Sequence, residues 1–222
     1  MTHNVHPYAH RLGIIRDWKS RWFSSGEKYK EFLRADVLLR EYLMKRLRGF
    51  YIASIEMERS NEVLKIIIKT ARPGMIIGRQ GEGSQRLKKE IDKFITKSNI
   101  SKGETKLEIE EARFPESNAA VVSQMIAEAL EKRLPFRRVL KQTLDKVSVN
   151  KQVKGVRIAL AGRLGGAEMS RKEEAKWGMI PLQTFRADVD FARERAILPY
   201  GTLGIKVWIY KGEIFADQDQ RK

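Results

Sequence analysis

Three stretches of this sequence carry groups that could hold a phosphate. Gly78-Arg79-Gln80-Gly81 lies between two helical patterns. Backbone without side chains at such a point lets a sugar-phosphate chain come close, and the amides that open the following helix face it. Arg79 would add a cation, and Gln80 completes the loop. As a bare string this motif is equally an ordinary helix-breaking turn, and its place in the order of elements is what singles it out. The second stretch is Arg137, Arg138 and Lys141. At about 100° per residue the three side chains fall within about 100° of one another, so one nucleic-acid strand can meet all of them. Contacts of this kind grip the backbone and read no bases. The third is Gly162-Arg163-Leu164-Gly165-Gly166-Ala167-Glu168, where Arg163, Gly165 and Gly166 form a flexible basic loop, although a plain turn explains the letters as well. Arg11, Arg16, Arg21 and Lys154 are further candidates for RNA contact.

Other chemistries find little to work with. Without cysteine there is no thiolate nucleophile, thiolate metal site or disulfide, and the only histidines are His3, His6 and His10. They read as part of a terminal arm, so neither a metal, a cofactor nor a catalytic residue is expected. Gly81-Glu82-Gly83-Ser84 lacks the Gly-Lys-Ser/Thr ending of an NTPase loop, and Arg86 stands where a dinucleotide fingerprint wants glycine or alanine. Asp188 and Asp190 invite a metal-assisted nuclease reading, but beside Arg186 they read better as surface acids.

Hydrophobic periodicity supplies the elements that position these groups. From Glu31 to Arg48, Phe32, Ala35, Leu39, Tyr42, Leu43 and Leu47 recur at helical spacing, and Gly49 ends the run. A hairpin follows, Tyr51 to Glu58 and Val63 to Thr70, turning at Arg59-Ser60-Asn61-Glu62. Pro73 opens a short helix, the glycine loop interrupts it, and a second helix runs from about Glu82 to Lys97 with Leu87, Ile91, Phe94 and Ile95 as its buried stripe. A Ser-Lys-Gly turn leads into a strand from Glu104 to Glu110. Pro115 to Asn118 reads as a linker, followed by helices over about 118–134 and 136–149. Strands then follow at Val156–Ala161, from Thr184 to about Arg195, and at Ile205–Tyr210, with a weakly patterned fourth between 167 and 177. The expected organisation is α+β: a basic arm over 1–30, an RNA-binding domain over 31–114, a two-helix, four-stranded domain over 115–216, and a polar tail over 217–222. In the arm, Trp18, Trp22 and Phe23 are read mainly as docking residues and the arginines as RNA contacts.

Charge points the same way. Lys and Arg outnumber Asp and Glu by 44 to 28, a net +16, which calls for a polyanionic partner. Residues 50–111 are nearly balanced, 12 basic to 10 acidic, whereas Arg137 to Arg163 holds eight basic residues and one acid, Asp145. The strongest phosphate footprint is therefore in the second domain. No apolar run approaches membrane-spanning length, so an intracellular protein without membrane partners is expected.

The order helix, strand, strand, short helix, GxxG, helix, strand resembles a type II KH domain, whose loop clamps about four nucleotides. More of the chain resembles the bacterial form of the universal small-subunit ribosomal protein family numbered three. The likeness runs from His6-Pro7, Arg11-Leu12-Gly13-Ile14 and Arg16-Asp17-Trp18 through Arg72-Pro73-Gly74 and Ile77-Gly78-Arg79-Gln80-Gly81-Glu82. It continues in Phe136-Arg137-Arg138, Gly162 to Glu168, Pro181-Leu182-Gln183-Thr184-Phe185-Arg186-Ala187-Asp188, Tyr200-Gly201 and Gly204-Ile205-Lys206-Val207. Gln183 and Phe185 depart from the family's His and Leu. The resemblance implies a cytoplasmic protein of the small-subunit head that binds ribosomal RNA. It also implies a place in the wall of the channel through which messenger RNA enters, where Arg137, Arg138 and Lys141 would touch the message and support its unwinding. Implied neighbours are head proteins ten and fourteen and, across the channel, four and five. Two other classes compete: a free KH-type RNA chaperone, and a nuclease or base-excision lyase.

Overall fold

The computed structural model describes residues 5–60, 63–97 and 104–215. His3, the tip of the expected 59–62 turn, the Ser-Lys-Gly turn and the 217–222 tail lie outside them. The elements in chain order are α1 (Pro7–His10), β1 (Ser20–Arg21), α2 (Glu27–Arg46), β2 (Ile52–Arg59), β3 (Val63–Thr70), α3 (Pro73–Ile77), α4 (Glu82–Lys97), β4 (Glu104–Glu111), α5 (Ala119–Glu131), α6 (Phe136–Ser148), β5 (Gly155–Gly162), β6 (Arg171–Gly178), β7 (Ala187–Leu198) and β8 (Gly201–Glu213), with short 3-10 turns at 79–81, 115–117 and 164–166. They form two compact units. Among the described residues, one lies within 18–113 and the other joins residues 5–17 to 114–215.

In the 18–113 unit a sheet of order β1-β2-β3-β4 carries α2 and α4. β2 and β3 form the expected antiparallel hairpin, and β4 returns parallel to β3, pairing Ile66 with Leu107 and Ile68 with Ile109. The helix-facing residues Ile55, Met57, Leu64, Ile66 and Ile68 close on Ala35, Leu39 and Leu43 of α2 and Leu87, Ile91 and Ile95 of α4. Removing this apolar surface from water is the main force holding the layers together. Beneath α2 lies a buried ion pair: the Arg59 guanidinium donates to Asp36 at 2.7 and 3.1 Å, and Trp22 Nε1 donates to the other carboxylate oxygen at 2.8 Å. The opposite face of the sheet is a ladder of charges, half-buried at Glu56 and more exposed around it. Arg21 meets Glu56 and Glu58, Lys69 meets Glu56 at 3.0 Å, and Lys65 meets Glu108 at 2.8 Å.

In the other unit α5 and α6 cover one face of an antiparallel sheet of order β6-β5-β8-β7. Val156, Ile158 and Leu160 of β5 and Leu203, Ile205, Val207 and Ile209 of β8 point to the helices, where Val122, Ile126, Leu130, Val139, Leu140 and Val147 meet them. α5 starts where sequence chemistry favours it, with the Asn118 side chain accepting from the amides of Ala120 and Val121. The fourth strand exists as β6, and its weak pattern has a cause: it is an edge strand, and its residues are half-buried at best. β7 begins at Ala187 instead of Thr184, because Ala187 N closes a turn onto Thr184 O at 3.2 Å.

The sheet's second face is also apolar, with Ala187, Val189, Phe191, Trp208 and Tyr210 forming a smaller core. Residues near the start of the chain lie over it: His6 meets Phe191 edge-on with ring centroids 4.7 Å apart, and the rings of His10 and Phe185, tilted by 35°, have centroids 4.4 Å apart. A single arm over 1–30 is therefore not what the structure shows. Residues 5–17 belong with the C-terminal unit, whereas Ser20 and Arg21 add a parallel strand beside Met57 and Glu58. Of the arm's aromatics, Trp22 docks through Asp36, Tyr29 and Phe32, while Phe23 is 95% exposed.

Candidate nucleic-acid interface

Gly78 leaves α3 at φ +70, Gln80 sits at φ +50 and Gly81 at φ +82, so the loop inverts direction in the left-handed region and releases α4 at Glu82. The exposed Arg79 and Gln80 form its tip. Arg79 has no ion-pair partner among the described residues, unlike the paired cations of the sheet face. What holds the loop is a residue the sequence reading passed over. Gly83 lies so close to α3 that a Cβ there would run into the carbonyl oxygen of Ile76 and come within 2.9 Å of that of Ile77. Only the Gly78 and Gly81 letters signal an RNA clamp; in the sequence Gly83 figures only in the NTPase-loop and dinucleotide comparisons, both of which fail. The arrangement leaves the first amides of α4 behind an exposed, cationic, side-chain-poor turn, with the apolar Met75 and Ile77 exposed beside it.

In the C-terminal unit α6 presents Val139, Leu140 and Val147 to the core and leaves Arg137, Arg138 and Lys141 exposed, as helical spacing required. Its first turn contains two arginines and no acid, and Pro135 supplies no side-chain cap. Arg138 and Lys141 form no ion pair among the described residues. Arg137 reaches Glu173 of β6 at 3.5 Å, an acid 36 positions away that local charge counting could not foresee.

The glycine loop lies beside the start of the same helix. Gly165, at φ +69, packs so that a Cβ would meet the Phe136 ring at 3.7 Å, and Gly166 stands open. Arg163 is exposed, yet two of its nitrogens donate to the carbonyl oxygens of Ala167 at 2.9 Å and Tyr200 at 3.1 Å, so it also shapes the loop. The fold therefore brings Arg137, Arg138, Lys141, Gly165 and Gly166 to one region. Lys154 is not part of it: it precedes β5 while Arg163 follows that strand, roughly 30 Å away at strand rise.

Arg11 is a correction. Predicted to contact RNA, it is completely buried, and its guanidinium donates to five carbonyl oxygens: Ala187 at 2.6 Å, Thr184 at 2.9 Å, Pro7 and Leu182 at 3.0 Å, and Pro181 at 3.2 Å. Burial pushes its pKa below the usual value, and the nearby Asp188 charge opposes that shift. Fully enclosed in this way, the guanidinium cannot reach a phosphate. Arg16 is ion-paired to Asp188 at 2.6 Å and Arg21 to Glu56 and Glu58, so both act first within their own units.

The two acids weighed for metal chemistry go to different partners. Asp188 holds Arg16, while Asp190 accepts from the amide of Ala119 at 2.9 Å, at the start of α5, and a bulge separates Asp188 from Val189. Among the described residues no group of carboxylates and histidines is placed to hold a metal, and no helix is long and apolar enough to cross a membrane.

An exposed GxxG turn on a helix, strand, strand, helix, helix, strand frame, followed by an α+β unit with a bare basic helix, defines a KH-type nucleic-acid-binding protein of two domains. Comparison with known proteins agrees on both halves. A family model described as KH domain matches residues 38–117, and one described as Ribosomal protein S3, C-terminal domain, matches residues 126–209. The chain is 42% identical over 214 residues to the small ribosomal subunit protein uS3 of Caldicellulosiruptor saccharolyticus, covering 96% of this chain and 94% of that one. It is 41% identical over 221 residues to uS3 of Clostridium novyi, covering 100% and 97%, and 43% identical over 215 residues to uS3 of Endomicrobium trichonymphae, covering 97% and 90%. The chain belongs to the small ribosomal subunit protein uS3 family, a family of structural proteins and not of enzymes.

Proposed function

We propose that this protein is a structural constituent of the small ribosomal subunit in the cytoplasm, binding ribosomal RNA in the head and lining the channel through which messenger RNA enters. The observation that carries the reading is the acid-poor face of α6, where Arg138 and Lys141 stand exposed and without an ion-pair partner among the described residues, while most cations of the 18–113 sheet are matched by neighbouring glutamates. Cations left unmatched in the folded chain are available to phosphates, and each phosphate contact releases a counterion from the nucleic acid. Arg137, Arg138 and Lys141 would hold the incoming strand and help unwind it without hydrolytic chemistry. Gly78, Arg79, Gln80 and Gly81 would clamp RNA at the KH loop, and Arg163, Gly165, Gly166 and Lys154 would add ribosomal RNA contacts.

Protein neighbours would be head proteins ten and fourteen, with four and five across the channel. The exposed apolar residues Tyr29, Leu33, Val37 and Met44, spaced along α2, support a protein neighbour on that helix. Sedimentation of cell extract at low salt and after a high-salt wash tests the reading. Stoichiometric retention in small-subunit and polysome fractions is expected, whereas loss on washing would favour a free KH-type RNA chaperone.

A further inference from the structure

Arg171 is absent from the glycine loop and from α6, and nothing in its local sequence sets it apart from the other cations of β6. The fold gives it a specific place. The ring of Phe136 is flanked by two guanidinium groups, Arg137 at 5.7 Å and Arg171 at 5.5 Å from its centroid. A single carboxylate oxygen, Glu173 Oε1, lies 3.5 Å from a nitrogen of each. Gly165 packs against the edge of the same ring.

The geometry has two consequences. An aromatic face and a shared carboxylate hold two planar, donor-rich groups side by side, and paired guanidinium groups suit the oxygens of a phosphodiester. At the same time both ion pairs are long, and the side chains of Arg137 and Arg171 remain 76% and 49% exposed, so the donors are not saturated. Glu173, at 26% exposed, is the lone acid of the cluster and competes with any incoming phosphate.

We propose that Phe136, Arg137, Arg171 and Glu173 form a phosphate clamp in which Arg171 is a fourth strand-contacting cation and Glu173 both positions the pair and limits its grip. This rests on the reading of α6 as the helix that touches a passing strand. A moving message must be held and then released, and an internal anion that reclaims the arginines favours release.

The test is binding of the full-length protein to single-stranded oligouridine, followed by fluorescence anisotropy across a salt series, with thermal melts confirming that each variant folds. Arg171→Ala is expected to weaken binding several-fold and to flatten the log–log salt slope by about 0.7, the loss of one single-strand phosphate contact. Arg171→Lys keeps the charge and restores the slope. Glu173→Gln tightens binding several-fold and steepens the slope. An unchanged slope in Arg171→Ala, or weaker binding in Glu173→Gln, overturns the clamp. The Arg137, Arg138 and Lys141 triple alanine variant runs in parallel. If it weakens binding while Arg171→Ala does not, the clamp fails and the α6 reading stands; if the triple variant binds normally, the α6 reading itself falls.

Discussion

Arg11 Nε donates to the carbonyl oxygen of Ala187 at 2.6 Å, tying together residues 176 positions apart. The bond anchors the start of the chain to the first residue of β7, and the other four donations from the same guanidinium gather the 181–184 turn around it. Replacing Arg11 with Met takes the guanidinium away from those carbonyls, of which Thr184 O still accepts from the Ala187 amide. The expected cost is about 2–4 kcal/mol of stability, since hydrogen bonds to charged groups contribute about 1.5–3 kcal/mol each and orphaned acceptors add a desolvation penalty. Urea denaturation of the full chain measures it. Because Arg11 cannot reach RNA, the salt slope of RNA binding by the folded variant should match that of the unaltered protein.

Gly83→Ala should destabilise the 18–113 unit, against the usual rule that alanine improves a helix by about 1 kcal/mol over glycine. The added carbon meets the carbonyls of Ile76 and Ile77, which belong to α3 and cannot yield without moving the loop. A loss of about 1–3 kcal/mol is expected, the range for overpacking. Gly74→Ala, where no atom lies within 4 Å, is the control and should be close to neutral by thermal melting.

Acid should weaken the 18–113 unit in part through Glu56. Burial raises its carboxyl pKa, but the hydrogen bond and charge of Lys69 and the charge of Arg21 outweigh burial and hold it below the ordinary carboxylate value. A group depressed on folding stabilises fully above its unfolded pKa and loses that contribution as pH falls through the folded one. Glu56→Gln should therefore be less stable than the unaltered protein at neutral pH, and the gap should close as the solution is acidified below the carboxylate range. Parallel stability curves at both pH values would exclude this role for Glu56.

Arg79→Asp combined with Gln80→Asp reverses the charge at the tip of the KH loop without touching Gly78, Gly81 or the packing of Gly83. RNA engagement should fall by about tenfold, the equivalent of about 1.4 kcal/mol, with the melting temperature unchanged. Equal binding by footprinting on small subunits would reduce the loop to a structural turn.

Changing Arg137, Arg138 and Lys141 together to Ala should spare assembly, because the buried face of α6 is untouched. Translation of messages with stable helices ahead of the ribosome should suffer more than that of unstructured ones. Equal loss for both classes in a reconstituted translation assay would contradict a channel role for this face.

Periodicity in the sequence marked α4 from Glu82 to Lys97, placed Arg137, Arg138 and Lys141 on one exposed face, and isolated Gly78 to Gly81 between two helices. These are local properties: which residues share a helix face or permit a turn follows from spacing within a few residues. Whether a cation is free depends on what the chain brings beside it. Arg11 and Arg138 look alike as letters, yet one is enclosed by carbonyls from positions 181–187 and the other faces outward. Likewise Glu173 and Arg171 join Arg137 only because β6 runs along the edge of the sheet beneath α6. Short-range patterning thus determined the elements and the sign of the surface, while long-range burial and pairing decided which charges remain available to RNA. Desolvation and hydrogen bonding depend on neighbours in space, and those neighbours exist only after the strands have paired.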